Sequence, residues 1–199
     1  MSSDGVNTGR RRFLTAATSA VGAAGVVGAA VPFVGSWNPS AKAKAAGAPV
    51  KADISKIEPG QMTVFEWRGK PVYILRRTEQ QLTELTELTD SLKDPLSEVS
   101  DQPTYVDQEN RAIRSDILVL VGLCTHLGCA PKHRPELGTV ATSDGSDWVG
   151  GFFCPCHGSM FDMAGRVYKG VPASANLIVP PYSFESDDVV VIGVDQETA

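Results

Sequence analysis

Two short segments hold residues whose types and spacing could do chemistry: Cys124-Thr125-His126-Leu127-Gly128-Cys129 and Cys154-Pro155-Cys156-His157-Gly158-Ser159. Thiolates and neutral imidazoles are the ligands that soft and borderline transition metals prefer, and thiols also oxidise to disulfides. Each segment supplies one Cys/His pair, separated by one or two residues, plus one further cysteine in the first segment and one in the second. A structural zinc site would need four ligands in the paired Cys-x2–4-Cys and His-x3–5-His spacings, and neither pattern stands out clearly here. Two plain disulfides would leave both histidines and the glycine-flanked loops without a reason. Such clustering marks a site.

In order and spacing the two segments resemble the Rieske iron-sulfur signature, C-T-H-x-G-C with C-P-C-H-G-S, and they match it at every fixed position. The resemblance implies one 2Fe-2S cluster, with Cys124 and Cys154 on one iron and His126 and His157 on the other, and a disulfide joining Cys129 to Cys156. It also implies that Ser159 offers its hydroxyl to a cluster sulfur, that Leu127 shields the cluster, and that Pro172 sits in a loop covering it. The resemblance gives the catalytic role of meeting a quinol mainly to His157, with His126 beside it. Two positions depart from the family: Phe161 stands where many members have a hydrogen-bonding tyrosine, and Ser174 stands where a second loop proline is usual. His133 reads as a solvated loop residue and Trp148 as core.

The ligand set suits a high-potential carrier. Two ferric ions, two sulfides and two thiolates give a neutral oxidised core, whereas four thiolates give a dianion, and an electron enters a neutral centre more easily. Rieske centres accordingly span about −150 to +300 mV against about −400 mV for plant-type ferredoxins. A metal-bound imidazole keeps its second nitrogen for a proton, so electron and proton uptake are coupled. The extra cysteine pair favours the exported branch of the family. That branch includes the iron-sulfur subunit of the cytochrome bc complex (respiratory complex III), its photosynthetic relative, and, as the alternative, the small subunit of arsenite oxidase. The bc-complex resemblance extends to the N-terminal segment, to residues 165–170 and to Asn176-Leu177. It implies cytochrome b and a c-type cytochrome as partners, ubiquinol as the electron donor, and a membrane.

The elements that position these residues begin with an anchor. Arg10, Arg11 and Arg12 precede residues 13–35, a run of 23 without a charge. As a helix this run rises about 35 Å, enough for a hydrocarbon core of about 30 Å. A cleaved secretory signal is the competing reading, with small residues around Lys42 and Lys44 as cleavage sites. The order Arg-Arg-x-Phe-Leu, Arg10-Arg11-Arg12-Phe13-Leu14, resembles the twin-arginine export signal of bacteria, used by proteins that cross the membrane folded. The positive-inside rule then leaves the basic end in the cytoplasm and the head on the periplasmic side of a bacterial inner membrane, as a single-pass protein. The organisation expected is a cytoplasmic N-terminus (1–12), an anchor (13–37), a hinge linker (38–50) and a head (51–199), with the cluster-binding subdomain at about 122–175.

In the head, Met62–Trp67 and residues 72–77 read as a hairpin around Arg68-Gly69-Lys70. Thr78 and Gln81 form a capping box for a helix presenting Leu82, Leu85, Leu88 and Leu92. Residues 93–115 read as loop, 117–123 as a buried strand feeding Cys124, and 160–168 with a turn at Ala164-Gly165, 177–179, 182–185 and 189–194 as further β segments. The stretch 130–153 reads as an exposed insertion. The fold class expected is mainly β: a Rieske-type antiparallel β-sandwich with a small cluster-binding subdomain, preceded by a single N-terminal transmembrane helix. The first 50 residues hold five basic side chains and one acidic, leaving 13 basic against 22 acidic in the rest. So acidic a body excludes a nucleic-acid partner.

Overall fold

The computed structural model describes residues 5, 7–135 and 148–196. It divides into two compact units, Met1–Ala45 and Ala46–Ala199. In the first, helix α1 (Thr8–Ser36) runs through the arginines and the whole uncharged stretch, and Asn7 caps it by accepting the Arg10 N–H at 3.0 Å. The helix is long and apolar enough to cross a membrane. A short helix α2 (Ala41–Ala46) follows, where an alanine-rich sequence meets no proline or glycine.

The second unit holds three three-stranded antiparallel sheets. In chain order its elements are β1 (Val50–Asp53), β2 (Met62–Trp67), β3 (Lys70–Arg76), helix α3 (Glu79–Glu87), β4 (Ile117–Val121), β5 (Lys132–Arg134), β6 (Gly151–Phe153), β7 (Met160–Phe161), β8 (Tyr182–Ser186) and β9 (Val189–Ile192). The sheets are β1-β9-β8, β2-β3-β4 and β5-β6-β7.

The β2-β3-β4 sheet is the platform. Trp67 pairs with Lys70, so the turn is the two residues Arg68-Gly69, one shorter than the sequence reading. Arg68 takes the left-handed φ of 52° that such a tight hairpin turn asks for, and its guanidinium covers the Trp67 ring. β4 is an all-apolar strand buried at every residue, and it delivers the chain to Cys124. The capping box of α3 is present in full: Gln81 N–H donates to Thr78 Oγ1, and Thr78 N–H to Gln81 Oε1. The helix ends at Glu87, and a 3-10 turn at Thr89–Ser91 carries Leu92 into the core, where it bridges to Tyr168.

The turn expected at Ala164-Gly165 is present: Gly165 N–H donates to Asp162 C=O, Asp162 Oδ1 accepts the N–H groups of Ala164 and Arg166, and Phe161 bridges to Val167, with Met160–Phe161 as the only strand residues of this stretch. One expected strand takes another form. Residues 177–179 form no strand. Their bonds go singly to Gly165, Val121 and Asp101, and Pro180-Pro181 deprives any ladder of the next two donors. In the stretch 130–153, β5 and β6 pair with each other and Trp148 is fully buried, while residues 136–147 lie outside the described residues.

The core runs from Val72, Ile74 and Leu75 through β4 to Phe152, Phe161, Leu177, Tyr182 and Ile192. It encloses three buried arginines. Arg166 pairs with the buried Asp162 at 2.6 Å, while Arg77 and Arg111 donate to backbone carbonyls of residues 110, 115 and 163–165, and Arg111 also to Gln102. Burial lowers the pKa of Arg77 and Arg111 to about 10 against the pull of Asp162, so both stay charged near neutrality.

Candidate metal centre

The two segments fold into loops closed by the same bonds. In the first, Gly128 N–H donates to Cys124 C=O at 2.9 Å and Cys124 N–H to Cys129 C=O at 2.8 Å; in the second, Gly158 N–H donates to Cys154 C=O at 3.0 Å and Cys154 N–H to Ser159 C=O at 2.8 Å. Each closure needs one residue with left-handed φ, and Gly128 (79°) and Gly158 (76°) supply it. The glycine of each motif is thus a condition of the loop's shape. β4 leads into the first loop and β5 leaves it; β6 leads into the second and β7 leaves it. Pairing of β5, β6 and β7 in one sheet brings the two loops side by side.

A disulfide joins Cys129 to Cys156, with the two Cα atoms 6.6 Å apart. The sulfurs of Cys129, Cys154 and Cys156 all lie within 4.8 Å of one another, but the disulfide leaves only Cys154 of these able to become a thiolate ligand. Cys124 and Cys154 are the free thiols, and both are buried. Burial pushes the Cys124 thiol up; the His126 backbone N–H pulls it down, the adjacent Cys154 raises it again, and the Ser159 hydroxyl lowers it by donating to the sulfur. The rings of His126 and His157 meet edge to face, with centroids 4.8 Å apart. His157 is exposed and His126 half-buried. A pair of buried thiols beside a pair of more exposed imidazoles is a donor set that fits a two-iron cluster held by two thiolates and two imidazoles.

Around this pair, Ser159 is fully buried, and its Oγ also accepts the Ala173 N–H at 3.0 Å. Thr125 Oγ1 donates to Ala175 C=O at 2.6 Å, tying the first loop to the segment that contains Pro172. Leu127 projects from the first loop with 71% of its surface exposed, and Pro172 is exposed as well. Phe161 is fully buried beside Phe152. His133 lies on β5 with its ring tilted against Phe152, half-buried on the sheet and so not the solvated loop residue that the sequence suggests.

Residues 48–183 match the family described as "Rieske [2Fe-2S] domain", and residues 1–40 match "Ubiquitinol-cytochrome C reductase Fe-S subunit TAT signal". The chain belongs to the Rieske family. Among its relatives is the "Ubiquinol-cytochrome c reductase iron-sulfur subunit" of Allochromatium vinosum, 53% identical over 199 residues, a match covering all of this chain and 95% of that one. The protein of the same name from Bradyrhizobium diazoefficiens is 43% identical over 92% of this chain and 94% of its own. A solved chain of "Hyperthermophilic respiratory Complex III" is 26% identical, covers 89% of this chain and 99% of its own, and superposes with a TM-score of 0.47. As a Rieske protein the chain carries one 2Fe-2S cluster.

Sequence reasoning did not find the side chains that fasten this centre to the body. Lys93, Arg77, Arg111 and Arg166 lie in or beside polar stretches, where a charged residue reads as solvated, and only the fold shows that they reach inward.

Proposed function

We propose that the chain is the iron-sulfur subunit of a ubiquinol:cytochrome c oxidoreductase. In this reading it takes one electron and a proton from ubiquinol beside cytochrome b and hands the electron to a c-type haem. The observation that carries the reading is the pairing of two buried free thiols with two outward imidazoles on adjacent loops. The relatives' shared name supports it, with matches covering 95% and 94% of their length.

Cys124 and Cys154 would hold one iron and His126 and His157 the other. When bound, the cluster supplies one-electron redox chemistry at a potential that a quinol can match. The protein's own groups do the rest. The exposed ring of His157 is the one to accept a quinol hydroxyl's hydrogen bond and hold its proton on the nitrogen facing solvent, with His126 the inner partner. Leu127 gives the loop tip an apolar surface for the quinol pocket, and the segment around Pro172 excludes water from the other side. Ser159, by donating to sulfur, favours the more negative state.

α1 anchors the chain in the membrane. Its arginine-bearing end stays in the cytoplasm and the head lies on the periplasmic side. Residues 38–49, which end where β1 begins, form the hinge that lets the head travel between donor and acceptor.

Electron paramagnetic resonance on ascorbate-reduced membranes tests this reading. A Rieske signal that shifts when a quinone-pocket inhibitor is added, from a complex that co-purifies with b- and c-type haems, is the expected result. A signal indifferent to such inhibitors, or a molybdenum-containing partner in place of the haems, would overturn it.

A further inference from the structure

Residues 170–175, Gly-Val-Pro-Ala-Ser-Ala, flank the centre yet have little with which to hold themselves in place. Only Val171 has a sizeable apolar side chain, and Pro172, which fixes its own φ, is exposed. The segment is fastened from outside at three points. Thr125 takes the Ala175 carbonyl, Ser159 takes the Ala173 N–H, and the ammonium of Lys93 donates to the carbonyls of Val171 at 2.9 Å and Ala173 at 2.6 Å. The Lys93 backbone is itself fixed, its N–H donating to Val167 C=O at 3.0 Å, and the preceding Leu92 is buried against Tyr168.

We propose that Lys93 is a positioning residue for the cluster: its ammonium clamps the two carbonyls that bracket Pro172 and thereby holds the Ala173 N–H on Ser159. This rests on the reading of the site given above. Two effects follow, of the same sign. A hydroxyl that accepts a bond from Ala173 is polarised into a stronger donor toward sulfur. The positive charge that Lys93 holds on the carbonyls of the segment flanking the centre also favours the reduced, more negative state. Both raise the potential, and neither requires Lys93 to touch a ligand.

Lys93→Met keeps the length of the stem and removes the ammonium; Lys93→Arg keeps charge and reach. Both are to be compared with the unaltered full-length chain in its detergent-solubilised membrane complex, by hydrogen exchange of peptides spanning residues 170–176 and by redox titration of the cluster signal. In Lys93→Met, losing a charge-assisted bond should speed exchange at Ala173 on the order of tenfold, and the midpoint potential should fall. Lys93→Arg should keep both near the unaltered values. Unchanged exchange in Lys93→Met would overturn the clamp, and faster exchange with an unchanged potential would overturn its influence on the cluster. Absence of a Rieske signal from the unaltered complex would instead refute the reading of the site, and the exchange comparison would still decide whether Lys93 holds the segment.

Discussion

The imidazoles of His126 and His157 stand at 85° to one another with centroids 4.8 Å apart, although they come from different loops. Neither ring has a sequence neighbour that would bring it to the other; the β5-β6-β7 sheet and the Cys129–Cys156 bond do so. His126→Asn and His157→Asn should therefore each abolish cluster incorporation, seen as loss of acid-labile sulfide and of the Rieske signal. The far-ultraviolet circular dichroism of the head should change little, since the core lies in the sheets. Retention of a normal signal in either variant would contradict the assignment of ligands.

The hydrogen bonds aimed at sulfur should set the potential. A bond that differs by about 1.4 kcal/mol between the two redox states moves a one-electron potential by about 59 mV. Ser159→Ala removes the hydroxyl donor and should lower the midpoint by roughly that amount. Phe161→Tyr adds a phenol at a fully buried position and should raise it. Protein-film voltammetry of the cluster would check both signs.

The disulfide closes a separation of 27 residues. In the chain-entropy view such a link stabilises the head by about 3 to 4 kcal/mol. Replacing Cys129 and Cys156 together by Ala should lower the denaturation midpoint accordingly. It should also hasten cluster loss on warming, measured as decay of visible absorbance.

Much of this centre was legible because its chemistry dictates its sequence. Ligands at the tips of tight loops must stand near glycines, so Gly128 and Gly158 announce the loops as surely as the cysteines announce the cluster. The capping box at Thr78 and the unbroken apolar run of β4 are likewise local signals, written within a few residues. What the sequence hides is long-range. β1 begins at Val50, beside a linker, and is a strand only because β9 pairs with it. Leu177 and Val179 are apolar and buried yet form no strand, since their partners are single carbonyls and two prolines follow. Arg111 sits in a stretch that reads as loop and is nonetheless fully buried. Its place depends on carbonyls of Ala164 and Gly165, more than fifty residues away.

That buried charge makes its own prediction. Asp162 is the carboxylate that faces Arg166 at 2.6 Å and attracts Arg77 and Arg111. Asp162→Asn would leave the guanidinium groups without it, and removing one partner of a buried pair costs about 3 to 5 kcal/mol. Denaturant unfolding should show that loss. Asp187→Asn, whose side chain is fully exposed, should show almost none.

If Cys124, Cys154, His126 and His157 hold the cluster, its reduction takes up protons at the imidazole rings. Redox titration of the cluster over a series of buffers of rising pH tests it most directly. The midpoint should fall with pH once the oxidised form loses its imidazole protons, with a slope approaching about 59 mV per pH unit for one proton per electron. A midpoint that stays level from neutral to strongly alkaline buffer would contradict it.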